Sequence, residues 1–304
     1  MKSVAIEQVA PYEEPNERLV LREKIAAYVE LTKPRITLLI TLIAAAGFCL
    51  GAKPPFDYLK FIHTLIGIAL LCSGVATLNQ YIERDLDRLM RRTVARPLPS
   101  GKLMPKQAFI FGIALTLLAE AYLVLFVNPL TALLGLTVVV GYVLCYTLLK
   151  TKTSLSTAIG ALPGAMPPLM GWTGATNQIN LEAWVLFAIL FLWQFPHFLA
   201  IAWMYREDYA RAGIKMLPVV EPEGYITGQQ IIAYTLLLIP VSLLPVALGI
   251  SGTIYFYGAL LLGAAFLWSS VHAALSITRQ SAKRLLLVSV LYLPALFILM
   301  VINR

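Results

Sequence analysis

The stretch NQYIERDLDRLMRRTVARPLPSG, residues 79–101, combines a high density of charge with a regular spacing of oxygen-bearing side chains. Asn79, Glu83 and Asp87 recur at every fourth position. In an α-helix each such step turns by about 40° and rises about 6 Å, so the three side chains lie along one face. We call these three residues the oxygen ladder. Since Mg²⁺ prefers hard oxygen ligands, usually one or two carboxylates completed by water and substrate phosphate, the ladder is a candidate magnesium site.

Five arginines within and after the ladder make the same stretch a candidate anion site. They are Arg84, Arg88, Arg91, Arg92 and Arg96. The guanidinium group is suited to bidentate contact with phosphate oxygens. The alternative is a solvated loop whose carboxylates pair with its own arginines, which the helical spacing of the ladder disfavours. Asp85 lies about 200° round the helix from Glu83, so we expect it to be solvated or paired with a neighbouring arginine.

The composition indicates an all-α polytopic membrane protein. Of the 304 residues, 59% are hydrophobic and only 13% are charged, and the mean hydropathy is +0.77. The net charge of +8 does not indicate nucleic-acid binding, because the basic residues flank apolar segments. All three cysteines fall inside predicted spans and no CxxC pattern is present, so neither a disulfide nor a cysteine metal site is indicated. Residues 1–35 are polar and mixed in charge, unlike a secretory signal peptide.

Apolar runs of membrane-spanning length predict nine transmembrane helices. They lie near residues 36–52, 60–82, 107–127, 129–149, 154–173, 181–205, 229–250, 253–273 and 284–302. The fifth is rich in glycine and proline, so we expect it to be bent. Such breaks persist in membranes where protein or a water-filled cavity satisfies the freed backbone groups, which predicts that this helix lines a cavity.

The distribution of basic residues predicts the orientation. With the N-terminus inside, 21 of the 24 lysines and arginines lie on the cytoplasmic side. The positive-inside rule therefore favours a cytoplasmic N-terminus, an external C-terminus and a ladder at the cytoplasmic surface. We divide the chain into a cytoplasmic extension, residues 1–35, and a membrane domain, residues 36–304. Residues 17–30 of the extension are a candidate amphipathic helix on the membrane surface.

A second acidic cluster follows the sixth predicted span, four helices after the first. Asp208, with Glu207 beside it, is its best candidate metal ligand, and Arg211 and Lys215 add positive charge. Both clusters follow a long apolar helix and precede a Leu-Pro step, which suggests two pseudo-repeated helical halves around a central cavity. A carboxylate here could hold a second Mg²⁺ or share one across a bound pyrophosphate. The alternative is a simple polar loop.

Two further elements lie at or within predicted spans. Tyr146 and Lys150 share a helical face at the inner end of the fourth span, where the lysine could hold a phosphate and the tyrosine could donate a hydrogen bond. His197, in the sixth span with Trp193 one turn before it, is a functional candidate because histidine is rare inside membrane helices. It could ligate heme iron, or it could be a packing histidine bonded to a carbonyl freed by the adjacent Pro196.

These motifs resemble the signatures of the UbiA superfamily of intramembrane prenyltransferases. The first is N-x-x-x-E-x-x-x-D followed by R-x-x-x-R-P-L-P-S-G, and the second is Tyr146-x-x-x-Lys150. Within that superfamily the chain is similar to the branch that prenylates heme, from about residue 30 to its end. The stretches concerned are ELTKPRIT (30–37), GALPGAMPPLMGW (160–172), WQFPHF (193–198) and DYARAGIKMLPV (208–219). The chain departs from many relatives at Gln80 and Glu83, and at Tyr205 and Tyr209, where the second motif usually has aspartate.

The resemblance implies a Mg²⁺-dependent transfer of farnesyl from farnesyl diphosphate to a vinyl group of heme B, with addition of water. It implies that Asn79, Glu83, Asp87 and Asp208 hold the metal, and that these residues with Tyr146 and Lys150 form the catalytic set. The diphosphate ligands would be Arg84, Arg92, Arg96, Lys150, Arg211 and Lys215. Trp193 and His197 would contact the heme.

The same resemblance places the protein in a bacterial plasma membrane, with its active site on the cytoplasmic side. It implies contact with membrane lipid and with heme A synthase or the machinery that assembles heme–copper oxidases. Three alternatives stay open: a related prenyltransferase acting on an aromatic acid or quinone precursor, a secondary transporter, and an assembly subunit of an oxidase. Charged residues gather at cytoplasmic helix ends and the helix interiors are nearly free of charge, which disfavours the transporter.

Overall fold

The computed structural model describes residues 17–304, with side chains from residue 21 onward. Residues 1–16 of the predicted extension therefore lie outside the described part of the chain. Within that part every regular element is a helix. The first half comprises α1 (Glu17–Leu31), α2 (Pro34–Gly51), α3 (Tyr58–Asp87), α4 (Pro105–Phe126), α5 (Pro129–Val139), a π-helix (Val140–Tyr146) and α6 (Thr147–Leu149).

The second half comprises four long helices and four short ones. They are α7 (Ser156–Gly164), α8 (Met166–Thr176), α9 (Leu181–Met204), α10 (Arg206–Arg211), α11 (Leu217–Val220), α12 (Tyr225–Ala247), α13 (Thr253–Leu275) and α14 (Arg279–Ile302). The all-α class is confirmed. Eight helical segments of residues 17–304 are long and apolar enough to cross a membrane. They are α2, α3, α4, the continuous segment Pro129–Leu149, α9, α12, α13 and α14.

The ninth predicted span, residues 154–173, consists of two shorter helices in the structure. Pro163 lies in the last turn of α7, and α8 begins with Met166, Pro167 and Pro168. Between them Ala165 has φ −92° and ψ −3°, which closes one helix and opens the next. Proline removes a backbone donor and crowds the preceding turn, so the predicted bend is confirmed.

The broken pair α7–α8 runs antiparallel to the segment Pro129–Leu149. At one end, the backbone of Gly160 lies against the ring of Tyr146. At the other end, the hydroxyls of Thr131 and Thr173 are 2.9 Å apart. The two short helices together therefore extend along the same length as one uninterrupted span.

Close packing between a helix of the first half and one of the second depends on missing side chains. A Cβ atom at Gly47 would collide with the carbonyl group of Pro168, and one at Gly171 would collide with that of Ala44. Small residues allow backbones to approach in this way, and van der Waals packing is a main source of helix association in membranes. Helices α2 and α8 are consequently in direct backbone contact.

Large apolar side chains cover the outside of the bundle as well as its core. Leu125, Leu261 and Trp268 are each more than 70% exposed, whereas Phe48, Phe266 and Tyr292 are buried. An apolar periphery of this extent is what a lipid-facing surface requires. The protein is thus an integral membrane protein.

The start of the described chain is tied to the loop after the oxygen ladder. The predicted helix at 17–30 is confirmed as α1, and its residues Ala27 and Leu31 pack with Leu98, Leu103 and Ala108. Gln80 donates a hydrogen bond of 2.8 Å to the carbonyl oxygen of Leu31. That α1 lies on the membrane surface stays a prediction. Its exposed apolar side chains Leu21, Ile25 and Val29 are compatible with contact to a membrane surface.

Candidate active site

The oxygen ladder forms the last three turns of α3 and is buried. Asn79, Glu83 and Asp87 are 3%, 8% and 0% exposed. The Asn79 side-chain nitrogen donates to Oε1 of Glu83, so the first two members of the ladder are in contact. The prediction that the three side chains share one helical face is confirmed. Asp87 is, however, packed inside the protein and not at its aqueous surface.

Each member of the ladder contacts one cation, and the three cations come from different parts of the chain. Lys150 Nζ lies 2.6 Å from Glu83 Oε2. Arg96 Nη1 lies 2.8 Å from Asp87 Oδ2. Lys33 Nζ donates to Asn79 Oδ1 at 3.2 Å. The segment before α2, the end of α6 and the loop after α3 therefore meet at the ladder.

Lys33 is a candidate site residue that the sequence motifs did not indicate. It precedes Pro34 at the start of α2 and has φ 48° and ψ 59°, in the left-handed region that a non-glycine residue rarely adopts. Burial lowers the pKa of its ammonium group to about 8, with Arg96 adding to the shift while Glu83 and Asp87 oppose it. A strained backbone beside a charged cluster is typical of functional sites. The sequence signal was a lysine just before a proline that opens an apolar span.

A π-helix shapes the wall opposite the ladder. It covers Val140–Tyr146, and the Thr147 hydroxyl that follows it donates to the Tyr142 carbonyl at 2.8 Å and accepts from Asn79 Nδ2 at 3.2 Å. The rings of Tyr142 and Tyr146 lie 5.0 Å apart. Short π-helical segments inside α-helices occur often at functional sites. Tyr146 and Lys150 lie one helical turn apart, since the Lys150 amide donates to the Tyr146 carbonyl at 3.2 Å, and the Lys150 side chain contacts Glu83. Tyr142 and Thr147 were not among the predicted residues.

The ladder fits a divalent cation. Asp87 Oδ1 is buried and has no hydrogen-bond partner among the described residues, which leaves a carboxylate oxygen free to accept a ligand bond. Two carboxylates and an amide oxygen match the few protein ligands that Mg²⁺ takes when a phosphate completes its shell. Among the side chains that are described, those of residues 21–304, no cluster of three or more His, Cys, Asp or Glu is arranged to hold a metal by itself. The assignment of a magnesium site to the ladder therefore requires that a substrate phosphate complete the coordination shell of the metal.

The second polar loop, residues 205–219, contributes aromatic rings and an internal ion pair. Asp208 is buried and pairs with Arg211, one turn later on α10. The Arg92 guanidinium carbon lies 5.0 Å from the ring centre of Tyr205 and 5.6 Å from that of Tyr209, and Arg92 donates to the Tyr209 hydroxyl at 3.2 Å. Burial raises the pKa of Tyr209, and Arg92 opposes the rise.

This loop reaches the ladder region through its backbone. The Lys215 amide donates to the Lys150 carbonyl at 2.8 Å. Tyr205 and Tyr209 thus contact Arg92, which lies in the loop after the ladder. The Arg211 and Lys215 side chains are exposed.

Arg84 occupies a different position from the other predicted anion ligands. It donates to the Tyr81 carbonyl at 2.7 Å and lies 3.5 Å from Asp85. Asp85 also lies 3.7 Å from Arg88. The expectation that Asp85 pairs with a neighbouring arginine is confirmed, and Arg84 contacts that pair and not the ladder.

The two predicted heme-contacting residues meet the last helix of the bundle. His197 Nδ1 lies 2.8 Å from the Ser289 hydroxyl, and Trp193 Nε1 donates to the Ser289 carbonyl at 2.8 Å. Their rings stack with centres 4.5 Å apart. Ser289 therefore fixes both side chains and satisfies one ring nitrogen of His197.

Comparison with known proteins identifies close relatives. Residues 38–299 match the model of the UbiA prenyltransferase family. A protein named protoheme IX farnesyltransferase from Solibacter usitatus is 50% identical over 286 residues, which cover 91% of this chain and 98% of that protein. Its namesake from Salinibacter ruber is 46% identical, with 91% and 98% coverage.

Solved structures of lower identity share the fold. A digeranylgeranylglyceryl phosphate synthase structure superimposes with a TM-score of 0.76 at 17% identity, covering 92% of this chain and 98% of that one. A UbiA homolog from Archaeoglobus fulgidus, bound to GPP and Mg²⁺, gives a TM-score of 0.64 at 17% identity, with 90% and 99% coverage. At these identities the comparison concerns the arrangement of helices alone.

Proposed function

The chain belongs to the UbiA prenyltransferase family, and on that premise we propose that it transfers farnesyl from farnesyl diphosphate to a vinyl group of heme B. The product is heme O, which heme–copper oxidases use. Relatives of 46–50% identity that match over nearly their whole length carry the name protoheme IX farnesyltransferase. The single structural observation that carries the proposal is the buried ladder with a cation on each member.

The ladder and its cations suit the departure of diphosphate. When bound at Asn79, Glu83 and Asp87, Mg²⁺ would act as a Lewis acid that neutralises the leaving group. Lys150 and Arg96 are held where negative charge develops as the bond between the farnesyl C1 and oxygen breaks and the diphosphate keeps the electron pair. Charges preorganised in a buried site stabilise a transition state without reorganisation at the moment of reaction.

The aromatic wall suits the allylic cation that remains. Tyr142 and Tyr146 form one side, and Tyr209 lies on the second polar loop. Their ring faces can stabilise a cation electrostatically. The π electrons of the heme vinyl group then form a carbon–carbon bond to the farnesyl C1. Water adds to the resulting cation beside the porphyrin and loses a proton, which gives a hydroxyethylfarnesyl group, so no protein nucleophile is needed.

We assign the remaining predicted residues to supporting positions. Asp208 is an additional metal ligand or orients Arg211, with which it pairs, towards the diphosphate. Arg92, held between two tyrosines, and Lys215 add positive charge at the same end of the bundle. His197 and Trp193 contact the heme. The chain shares its fold with the Archaeoglobus fulgidus homolog that binds GPP and Mg²⁺, and we propose a diphosphate and Mg²⁺ as ligands of this chain as well.

We further propose nine membrane crossings, in two pseudo-repeated halves, with α7 and α8 together making the fifth. Contacts of this pair along the full length of Pro129–Leu149 support that count. The bias of basic residues supports a cytoplasmic N-terminus, an external C-terminus and a ladder on the cytoplasmic side of a bacterial plasma membrane. Residues 1–35 would form the cytoplasmic extension, and contact with heme A synthase or oxidase assembly factors would follow from the product.

A turnover assay on the purified protein in detergent tests the function. The mixture contains heme B, farnesyl diphosphate and Mg²⁺, with mass spectrometry of the porphyrin and a parallel reaction in EDTA. We expect a Mg²⁺-dependent mass gain of one farnesyl group plus one water.

Other products would redirect the assignment. Prenylation of an aromatic acid without a heme product would keep the fold and the ladder but move the chain to another substrate. Uptake of labelled heme into proteoliposomes without farnesyl diphosphate would instead favour a transporter.

A further inference from the structure

The charges around the oxygen ladder are nearly balanced before any ligand is considered. Glu83 and Asp87 contribute two negative charges, and Lys33, Arg96 and Lys150 contribute three positive ones within 3.2 Å of a ladder atom. A Mg²⁺ ion approaching alone meets a cluster of net positive charge. A diphosphate approaching alone meets cations that already have oxygen partners.

The contacts place each cation on an oxygen that Mg²⁺ would use. Lys33 is on the amide oxygen of Asn79, Lys150 is on Oε2 of Glu83 and Arg96 is on Oδ2 of Asp87. One of the two Asp87 carboxylate oxygens has no hydrogen-bond partner within the described part of the chain, so the metal can enter the ladder there before it displaces a cation.

We propose that Lys33, Lys150 and Arg96 exchange partners during substrate binding: they leave the ladder oxygens as Mg²⁺ arrives and bind the diphosphate instead. Each cation is then a competitor of the metal and a ligand of the anion. The two ligands must therefore bind cooperatively, and the coupling is reciprocal by linkage. The proposal rests on the proposed function only in taking a diphosphate as substrate, and it does not depend on heme.

Lys33 gives the sharpest test because its ladder partner is neutral. Removing Lys150 or Arg96 leaves a buried carboxylate without its counter-charge, which destabilises a protein strongly. Replacing Lys33 by methionine leaves only an amide oxygen without a donor, beside a half-buried side chain of similar length. Arg35, two residues later and exposed, offers a matched control in Arg35→Met.

The experiment is calorimetric titration of the full chain in detergent with Mg²⁺ alone, inorganic pyrophosphate alone, and each in the presence of the other. In the unsubstituted protein we expect each ligand to tighten the other by about 5- to 150-fold. Lys33→Met should bind Mg²⁺ alone about threefold to tenfold more tightly and pyrophosphate about tenfold more weakly, since a charge-assisted contact is lost from one side only. Lys33→Arg should restore most of the coupling, and Arg35→Met should leave all constants unchanged.

The sign of the change in Mg²⁺ affinity decides the matter. If Lys33 merely positions Asn79, the variant binds both Mg²⁺ and pyrophosphate more weakly. If Lys33 is only an anion ligand, Mg²⁺ binding alone is unchanged and the coupling factor is preserved. Either result overturns the exchange, with thermal unfolding confirming that the variant is folded. A failure of the proposed function would appear in the turnover assay, as absence of a farnesylated heme, while the cooperative binding of Mg²⁺ and pyrophosphate would be retained.

Discussion

The two acidic clusters of the chain are built differently. In the first, Lys33, Lys150 and Arg96 come to the ladder from three separate segments, 46, 67 and 9 positions from their partners. In the second, Asp208 pairs with Arg211 on the same short helix, three positions away. The first cluster is held together by the tertiary structure, whereas the second has a local ion pair.

The difference indicates that the two clusters have different roles at the same end of the helix bundle. The first cluster has buried oxygens, one of which has no hydrogen-bond partner among the residues that the structure describes, and it suits a metal. The second presents Tyr205 and Tyr209, which hold Arg92 against the same region. We infer that the first half supplies the metal ligands and that the second half mainly supplies cation-binding rings and charge.

The largest expected effect is that of Asp87→Asn. It removes a metal-ligand charge while keeping the shape of the side chain, so turnover should fall by about 10²- to 10³-fold. The matched control is Asp85→Asn, on the same helix but 66% exposed and paired only with arginines of the same stretch. Initial rates of heme farnesylation over a range of Mg²⁺ concentrations measure both variants.

Because Asp87 is fully buried, the unfolding temperature of Asp87→Asn must be recorded with its rate. If the Asp87→Asn variant is folded and its turnover is unchanged, the assignment of a metal site to the ladder is wrong. Equal losses in Asp85→Asn and Asp87→Asn would show that only the overall charge of the stretch matters.

Asp208→Asn should have a smaller effect, a loss of about tenfold, because it breaks a single charged pair whose other member is partly exposed. Steady-state kinetics with varied farnesyl diphosphate measure it, with Glu207→Gln as the exposed neighbouring control. A loss as large as that of Asp87→Asn would mean that Asp208 is an equal metal ligand, and the contrast between the two clusters would fail.

The sequence predicted those features of the site that depend on neighbours along one helix. The spacing of Asn79, Glu83 and Asp87 is a local property of α3, and so is the pairing of Asp85 with Arg84. The partners of the ladder were harder to identify from the sequence. Lys33 contacts Asn79 because α2 packs close to α3, and the spacing of residues along the chain does not predict which helices pack together. Thr147, 68 positions from Asn79, is a similar case.

The fold shows the same division. Proline and glycine in residues 154–173 predicted a bent helix, since proline acts on its own turn. The π-helix at Val140–Tyr146 was not predicted, because its residues fit an ordinary apolar span and the extra residue in the turn depends on packing around the site. The exposed leucines of the periphery were predictable as a class from hydropathy alone.

His197→Ala extends the comparison to α9, which leads into the second polar loop. We expect the KM for heme to rise about threefold to tenfold with a smaller change for farnesyl diphosphate, as for the loss of one contact to a single substrate. Ser289→Ala is the informative companion, because it frees Nδ1 of His197 without removing the imidazole. Equal effects of His197→Ala on both substrates would favour a packing role for His197.

The smallest expected effect is that of Tyr209→Phe. The substitution removes the hydroxyl that accepts from Arg92 at 3.2 Å but keeps the ring beside the guanidinium. Loss of one such hydrogen bond predicts a reduction in kcat/KM for farnesyl diphosphate of about twofold to tenfold. Tyr209→Leu also removes the ring, so its loss should be larger if cation–π contact contributes. The relative size of these effects distinguishes two roles for the second half. If loss of the Tyr209 hydroxyl lowered turnover more than loss of the Asp208 charge, the second half would donate a proton to the leaving group. The predicted order instead means that the second half supplies aromatic rings and positive charge to a site whose metal is bound by α3.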